Sequence, residues 1–440
     1  MRYACTPCRT PYRSVLSPSR SHPLAPPHTR YVYRAVHADR AGRIIVSDYA
    51  AAGFDGAATV PFADPIRLPT GAIVLHIERE AETLDRSGRA RGVGAGRLAV
   101  AAILPPGHLR TQLPAYADAT DKPDLAPRAY AAVAADDAGD LAVAAALIDR
   151  DPTRDFDAYP KAEIAARVNN ALRSQPADRL VRQLARCARE YGCRGAANAF
   201  YGRWECALPI AAPANEHPPA VIAPRLDGEA EPREPAAFHA TAEEVASLAT
   251  QHIAAGGTLV SFGRACEGEP LLSARLVEDA IRLVRAKTGS GTIHLETNGS
   301  IPAALRRLAA TGLDAVTIRI ASARADTYET LHRPEGYRFA DVRASLRVAT
   351  EQRLATNLVI PVLPGIFDRA EEIAALVGVA GELREGSAIL LRDLAADPLR
   401  ALALMKPREP SIGVARALER LREELPHLRV GSFVRPLARI

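Results

Sequence analysis

Short apolar runs separated by turn-forming residues characterise the front of the chain. Three of these runs occupy 43–46, 72–77 and 98–104. Two more, at 129–134 and 141–148, flank the sequence Asp-Asp-Ala-Gly-Asp at 136–140. Two β-prone runs around an Asp/Gly turn predict a β-hairpin. We therefore expect residues 41–160 to form a small β-rich domain, in which no residue pattern indicates chemistry.

A helical period replaces these short runs between residues 161 and 205. Apolar residues recur at helical spacing, at Ile164, Val168, Leu172, Leu180, Val181, Leu184 and Cys187. This spacing places them on one face of a helix, and Pro176 suits the first turn of a second helix. The segment 161–205 therefore predicts two helices that connect the front domain to the rest of the chain.

Strand-like and helical segments alternate from residue 206 to about residue 400. Six apolar runs have the length of strands, and they occupy 207–212, 258–262, 292–296, 315–320, 357–362 and 388–391. Helical stretches separate them at a repeat of roughly 25 to 40 residues, which is typical of a parallel α/β architecture. Six units rather than eight predict a partial (β/α)6 TIM-like barrel over 206–400, with its site at the carboxyl ends of the strands. The remaining segment, 401–440, predicts a C-terminal helix at 412–424 and an extension.

The amino-acid composition narrows the classes of function that the sequence allows. With 48% hydrophobic and 24% charged residues and a net charge of +5, the chain has the composition of a globular protein. No basic stripe with interleaved aromatic residues occurs, so nucleic acid is not an expected partner. The only lysines are Lys122, Lys161, Lys287 and Lys406, which leaves few candidates for Schiff-base chemistry.

The number and spacing of the cysteines and the hydropathy of the chain bear on the cellular location of the protein. The chain has six cysteines without a regular disulfide framework: Cys5, Cys8, Cys187, Cys193, Cys206 and Cys266. This pattern in a large chain predicts the reducing environment of the cytoplasm. No apolar run approaches the roughly 20 residues of a membrane span. Residues 1–40, rich in arginine, serine and proline, predict a disordered tail; a transit peptide and a start site placed too early are the alternatives.

Polar and turn-forming residues follow successive predicted strands. They are Gly268, Glu269 and Pro270 after the second strand, Thr297 and Asn298 after the third, Ser322 after the fourth, and Asn357 at the start of the fifth. Gly268 lets the backbone approach a ligand and Pro270 fixes the turn, although both residues also suit an ordinary tight turn between strand and helix. We expect Glu269, Asn298 and Ser322 to converge on one cavity, because the carboxyl ends of parallel strands meet at the same edge.

This ordered set of turns resembles the radical S-adenosylmethionine superfamily over about 206–400. The segment 201–205, Tyr-Gly-Arg-Trp-Glu, is similar to one in a bacterial subgroup with a β-rich front domain, which extends the resemblance to roughly 90–400. The resemblance implies a small-molecule site for S-adenosyl-L-methionine beside a 4Fe-4S cluster. It also implies that Glu269 accepts a hydrogen bond from the amino group of that cofactor.

The cluster ligands of that family are missing from this chain. The family holds its cluster with three cysteines in the loop after the first strand, and the equivalent positions here are Ala214, Pro218 and Val221. None of these side chains has a donor atom, and His217 alone cannot replace three thiolates. Cys5 and Cys8 form a Cys-x-x-Cys pair, but they lie in the predicted tail. We therefore predict no metal ligands and no catalytic residues, and interpret the chain as a cluster-free pseudoenzyme or a protein that binds S-adenosyl-L-methionine or another small molecule.

Two other interpretations stay open at this point. One is a working radical enzyme whose cluster is unusual or supplied by a partner, and the other is an unrelated TIM-barrel lyase such as an aldolase. We expect His294, on the third strand, to be a core histidine with satisfied ring nitrogens rather than a catalyst. His332 and Arg333, in the helical stretch after the fourth strand, are expected to be solvated. The sequence carries no signal for the oligomeric state.

Overall fold

The computed structural model describes residues 32–118, 122–154, 159–210, 212–220, 222, 236–264, 268–405 and 410–437. Antiparallel sheets dominate the front of the chain. Its strands are β1 (Arg34–Ala38), β2 (Ile44–Ala50), β3 (Ala52–Phe54), β4 (Thr59–Pro61), β5 (Pro65–Arg67), β6 (Ile73–Glu80), β7 (Glu82–Leu84), β8 (Ala90–Gly92), β9 (Leu98–Ile103), β10 (His108–Arg110), β11 (Leu113–Pro114), β12 (Tyr130–Ala135) and β13 (Leu141–Leu147). The main sheet has the order β10-β13-β12-β1-β9-β6, with β2 paired to β1 and β5 to β13. Small sheets β11-β3-β4 and β7-β8 accompany it.

Alanine-rich strands build the core of this front region. All six residues of β12 are buried, and Val36, Val100, Val133 and Val143 pack into one apolar cluster between the strands. The predicted hairpin is confirmed as the antiparallel pair β12 and β13. Gly139, with a φ of 88°, supplies the left-handed turn residue that this connection requires.

The predicted boundary of the N-terminal tail is wrong. Strand β1 lies inside the stretch 1–40, and it pairs antiparallel with β2, β9 and β12. Its apolar residues Ala35, Val36 and Ala38 are buried, so their burial outweighs the tail-like composition that precedes them. Residues 1–31, with Cys5 and Cys8, lie outside the described residues.

Three helices, α1 (Ile164–Ser174), α2 (Arg179–Glu190) and α3 (Arg194–Tyr201), follow the front region. The first two match the predicted helical period, whereas α3 is an addition to it. Cys193 precedes α3 as its N-terminal capping residue, and its sulfur accepts from the backbone N–H of Ala196. Gly202, in the left-handed conformation, ends the helix.

A parallel sheet with outer helices forms the rest of the molecule. Its strands are β14 (Glu205–Ala207), β15 (Leu259–Phe262), β16 (Thr292–Thr297), β17 (Ala315–Arg319), β18 (Ala355–Val362), β19 (Ala388–Asp393) and β20 (Arg429–Gly431). Its helices are α4 (Ala242–Ala254), α5 (Ala274–Lys287), α6 (Pro302–Thr311), α7 (Ala325–His332), α8 (Phe339–Glu351), α9 (Ala370–Ala380), α10 (Pro398–Met405) and α11 (Val414–Glu424). Neighbouring strands pair in chain order, all parallel. The expected parallel α/β partial barrel is confirmed, with β20 as a seventh strand and with the first strand earlier in the chain than predicted.

The two faces of this sheet differ in chemistry. Val260, Ile293 and Val316 face the helices within one large apolar core, so the alternate residues Ser261, His294 and Thr317 face the barrel interior. Leu259, Val359, Ala388, Leu390 and Val434 form a separate small apolar cluster. The interior of the barrel therefore contains polar side chains beside an apolar cluster.

The front region packs against the carboxyl ends of β18 and β19. Arg110 of β10 is fully buried, and its guanidinium donates to the carbonyl oxygens of Val362 and Leu394. Leu113 of β11 joins Leu363 and Leu394 in a shared apolar cluster. Among the described helices, none combines the length and hydropathy that crossing a bilayer would need.

Candidate functional site

The turn after β15 approaches the loop that follows β14. The backbone N–H of Gly268 donates to the carbonyl of Ala212 at 2.9 Å, and that of Glu269 donates to Pro213 at 2.7 Å. A Cβ atom at position 268 would lie 2.0 Å from the carbonyl oxygen of Pro213, so the close approach requires glycine. Pro270 then opens a short 3-10 helix at Pro270–Ser273. These contacts fix the loop after β14 against the barrel.

The carboxylate of Glu269 joins two turns. One oxygen accepts from the backbone N–H of Leu271 at 2.9 Å and from the hydroxyl of Thr297, and the other accepts from the backbone N–H of Asn298 at 2.8 Å. The side chain is buried, and burial raises its pKa to about 6 against the opposing effect of Arg319 and these donors. Protein donors thus take up most of the accepting capacity of this carboxylate.

An amide pair connects the loop after β14 to the turn after β16. The side-chain amide of Asn298 donates to Oδ1 of Asn215 at 2.8 Å, and its own oxygen accepts from the backbone N–H of Ser300. The amide of Asn215 in turn donates to the hydroxyl of Ser300 at 3.2 Å. All three residues are buried, so these hydrogen bonds form a closed polar link between loop and turn.

Glu216 anchors the same loop through two side chains that the sequence reasoning did not select. Its carboxylate lies 3.0 Å from the guanidinium of Arg319 and 2.8 Å from Nδ1 of His332. Although burial opposes ionisation, Arg319 and His332 hold the pKa of Glu216 well below its usual range. Nε2 of His332 accepts from the backbone N–H of Ala321 at 3.0 Å, so Nδ1 is the ring nitrogen that donates to Glu216.

The expectation that His332 is solvated is therefore wrong. Helix α7 ends at His332, which lets the imidazole turn inward and stack on Tyr328 with ring centroids 4.1 Å apart. Arg333, the next residue, is exposed as expected and has a φ of 46°. The backbone changes direction between the two residues, so one side chain faces inward and the other faces solvent. Helical periodicity does not predict this change of direction.

The positions that we predict to correspond to the cluster ligands have side chains without donor atoms. Ala214 is exposed and Pro218 is half-buried, while Val221 lies outside the described residues, as does Cys266. His217, 60% exposed at its side chain, contacts the carboxylate of Glu335 at 2.8 Å. Because an iron–sulfur cluster is held by thiolates, the side chains of this loop do not fit the cluster.

Two other predicted residues have partners of their own. The hydroxyl of Ser322 donates to Glu372 on α9, rather than to Glu269 or Asn298. The amide of Asn357 donates to the hydroxyl of Thr317 at 3.2 Å, near the start of β18. The structure thus brings together Gly268, Glu269, Pro270, Thr297 and Asn298, and it gives Ser322 and Asn357 other partners.

A polar layer crosses the barrel interior one step below the strand ends. His294 has both ring nitrogens in hydrogen-bond contact, with Ser261 at 2.9 Å and Thr317 at 2.7 Å. Burial lowers the pKa of His294 to about 4, which keeps the ring neutral. The expectation of a satisfied core histidine is confirmed.

A charged layer lies above it, and the sequence reasoning missed this layer. Glu296 contacts Arg264 at 3.1 Å and Arg392 at 3.6 Å, and Arg264 also lies 3.6 Å from Glu205. Although burial opposes it, these arginines lower the pKa of Glu296 to about 2. The alternation of side chains along a strand could have identified Glu296, because it follows His294 by two positions and so lies on the same face of the strand.

Comparisons with known proteins bear on this architecture. Residues 215–377 match the family model described as the radical SAM superfamily. The comparison with curated proteins returns no match.

Among solved structures, the chain is similar to a radical SAM methyltransferase from Sphaerobacter thermophilus, at 14% identity over 51% of this chain and 64% of that chain, with a TM-score of 0.34. It is also similar to SuiB of Streptococcus suis bound to the precursor peptide SuiA, at 11% identity over 58% and 53%, with a TM-score of 0.36. The similarity to HydG, a maturase of the FeFe-hydrogenase, has 16% identity over 63% and 64% and a TM-score of 0.33. The chain thus spans between 53% and 64% of the length of these structures.

The family match supports the resemblance to the radical SAM superfamily over the unrelated TIM-barrel lyase that the sequence left open. The family uses S-adenosyl-L-methionine and a 4Fe-4S cluster, and the matched segment contains the turns on which the resemblance rested. The segment 215–377 of this chain, which contains the strands β15 to β18, is a radical SAM domain.

Proposed function

We propose that this chain is a member of the superfamily that holds no iron–sulfur cluster and does not cleave S-adenosyl-L-methionine reductively. The observation that carries this proposal is the side-chain chemistry at Ala214, Pro218 and Val221. A cluster needs thiolates or, less often, imidazoles at these positions. Without the cluster the protein has no route for the electron that starts radical chemistry.

Contacts between protein groups support the same proposal, because they hold the loop without a metal. Asn215 and Glu216 are bound to Asn298 and Arg319. The backbone N–H of His217 donates to the carbonyl of His332 at 2.9 Å. A loop that has lost its cluster would otherwise leave its backbone without support, and these contacts supply that support.

A binding role is the form of function that fits a barrel without the cluster. The side chains of Arg264 and Arg319 at the strand ends are 22% and 19% exposed, so a small polar molecule can reach them. Glu269 already accepts three protein donors, and a cofactor ammonium group would have to replace one of them. We therefore propose that S-adenosyl-L-methionine binds weakly, and that any ligand of this cytoplasmic protein is a small molecule rather than nucleic acid.

The test of this proposal is an activity assay after anaerobic reconstitution with iron and sulfide. We expect no 5′-deoxyadenosine from the wild-type chain with S-adenosyl-L-methionine and a strong reductant. A variant with Cys5→Ser and Cys8→Ser is the matched control, because it removes the Cys-x-x-Cys pair outside the described residues. Formation of 5′-deoxyadenosine by both proteins would show that the chain is a working radical enzyme with other cluster ligands. If the reaction requires added cell extract, a partner supplies the cluster.

A further inference from the structure

The turn between α2 and α3 brings two cysteines together. Cys187 lies in the last turn of α2, and Cys193 is the capping residue before α3. Gly192, with a φ of 66°, reverses the chain between them, and the backbone N–H of Cys193 donates to the carbonyl oxygen of Cys187 at 3.0 Å. By standard bond lengths, such a hydrogen bond holds the two Cα atoms roughly 5–7 Å apart. A disulfide usually spans about 4.4–6.8 Å between Cα atoms, so the backbone already has a separation that a disulfide can bridge.

The surroundings of Cys193 leave a path to its sulfur. Both cysteines are thiols in the structure, and both side chains lie in the large apolar core that contains α2 and α3. Cys187 and Cys193 are nevertheless 8% and 9% exposed, whereas Cys206 is 0% exposed. The glycines on either side, Gly192 and Gly195, are exposed, and a Cβ at Gly195 would have the sulfur of Cys193, at 3.8 Å, as its one neighbour within 4 Å among the described residues. The sulfur of Cys193 therefore has an open side that a small oxidant can reach.

The helix ends beside the two sulfurs make the thiols unequal. The sulfur of Cys193 accepts from the backbone N–H of Ala196 at 3.4 Å, in the first turn of α3, where the helix dipole stabilises a negative charge. The sulfur of Cys187 accepts from the neutral side-chain amide of Gln183 at 3.6 Å. It lies in the last turn of α2, where the helix dipole disfavours a negative charge. Cys193 is therefore the thiol that reacts first, and Cys187 is the thiol that follows.

We propose that Cys193 and Cys187 are an oxidation site, a thiol pair that hydrogen peroxide converts to an intramolecular disulfide. The thiolate of Cys193 attacks one peroxide oxygen and the O–O bond breaks, which leaves a sulfenic acid on Cys193 and hydroxide that takes up a proton to become water. The sulfur of Cys187 then attacks the sulfur of Cys193, its proton goes to the departing oxygen, and a second water leaves. Two thiols and one hydrogen peroxide thus give one disulfide and two waters, with sulfur oxidised and oxygen reduced. The inference is independent of the proposed function, because both cysteines lie outside the barrel.

The test maps the cysteines of the full chain after treatment with hydrogen peroxide and alkylation of the remaining thiols. Trypsin cuts after Arg186, Arg189 and Arg194, so the two cysteines fall in separate peptides, 187–189 and 190–194. We expect the wild type to yield these two peptides joined by a disulfide, and dithiothreitol to separate them. Recovery of both peptides as alkylated thiols after the treatment would overturn the proposal.

Two variants and an internal control test the order of the two steps. Cys187→Ala should stop at the sulfenic acid of Cys193, which dimedone traps, and Cys193→Ala should leave Cys187 as a thiol. Cys206 is the control thiol in the same chain, because burial raises its pKa to about 12, and iodoacetamide should alkylate it at least about 10-fold more slowly than Cys193. Equal alkylation rates of Cys193 and Cys206, or a sulfenic acid on Cys187 in Cys193→Ala, would overturn the assignment. The peptide map of the wild type decides the proposal even where a variant does not fold.

Discussion

At the scale of single residues, Glu269 is a buried carboxylate that accepts hydrogen bonds from three protein donors. Its position after β15 follows from the sequence, but its role depends on donors that come from Thr297 and Asn298, about 28 residues further along the chain. One buried side chain thereby connects the turns after two neighbouring strands. We therefore expect Glu269 to contribute to the stability of the fold.

Glu269→Gln should lower the free energy of unfolding by about 1–3 kcal/mol, because the amide replaces an accepting oxygen by a donor that faces backbone N–H groups. Urea denaturation measures the change. Glu335→Gln, at an exposed position, is the control and should change stability by less than about 0.5 kcal/mol. Equal effects of the two substitutions would contradict the structural role of Glu269.

Glu296 is expected to make the stability of the fold depend on pH. Its pKa in the folded protein is about 2, below the ordinary value of 4.5, so its ionised form stabilises the fold above pH 4.5 and this stabilisation is lost as the pH falls toward 2. This difference between the two pKa values corresponds to a contribution of Glu296 to the free energy of unfolding on the order of 3 kcal/mol.

The stability advantage of the wild type over Glu296→Gln should therefore shrink as the pH is lowered from 5 toward 2. Urea denaturation at several pH values measures the difference. An exposed control, Glu351→Gln, should show no such convergence with the wild type. An advantage that grows on acidification would reverse the predicted sign.

Residue-level prediction from the sequence succeeded where backbone geometry restricts the residue type. Gly268 and Pro270 are identifiable because few residues can occupy such a turn. Glu216 and Arg319 were missed because their pairing joins positions 103 apart in the chain, across a loop and a strand end. Local patterns carry no information on such a contact.

At the scale of elements, the loop after β14 and the end of α7 act together. His332 supplies a ring nitrogen to Glu216 and accepts from the backbone N–H of Ala321. Its own carbonyl accepts from the backbone N–H of His217. The end of one helix therefore fixes the loop in which we predict the positions equivalent to the cluster ligands.

His332→Ala should destabilise the protein by about 1–3 kcal/mol, because two half-buried partners lose a hydrogen bond. It should also speed amide hydrogen exchange in the loop 213–220 relative to the rest of the barrel. His427→Ala, at an exposed position near the C-terminus, is the matched control. Unchanged exchange in the loop would show that His332 does not hold it.

The sequence predicted elements best where they are long and periodic. The strands from β15 to β19 and their helices follow from the alternation of short apolar runs and amphipathic stretches. Strand β20 was missed because it has three residues, Arg429–Gly431, and pairs only through its position beside β19. Helix α3 was missed because its eight residues contain mostly small side chains.

At the scale of the whole molecule, the front region is bound to the barrel through buried polar contacts. Gly56 and Gly365 approach so closely that a Cβ at Gly365 would lie 2.6 Å from the Cα of Gly56. Arg110 extends from the front region to the end of β19, where its Nε lies 3.7 Å from Asp393. No periodicity of either segment predicts this docking, because it depends on the shape of the assembled surfaces.

Arg110→Met should cost about 3–5 kcal/mol, because it removes the buried hydrogen bonds to the carbonyls of Val362 and Leu394 and the cation beside Asp393, whose pKa burial raises to about 7. The double variant with Asp393→Asn should lose less than the sum of the single variants, since it removes the stranded charge. Arg400→Ala breaks an exposed pair with Asp124 between the same two regions, and it should cost less than about 1 kcal/mol. Additive effects of Arg110→Met and Asp393→Asn would contradict the direct coupling.

We propose that the loop after β14 holds no iron–sulfur cluster. The most direct test of this proposal is the iron and acid-labile sulfide content of the wild type after anaerobic reconstitution. A variant with Ala214→Cys, Pro218→Cys and Val221→Cys, which restores the three ligand positions, is treated in parallel. We predict that the wild type retains almost no iron and that the restored variant binds a cluster. Loading of the wild type with about four iron atoms per chain would contradict it.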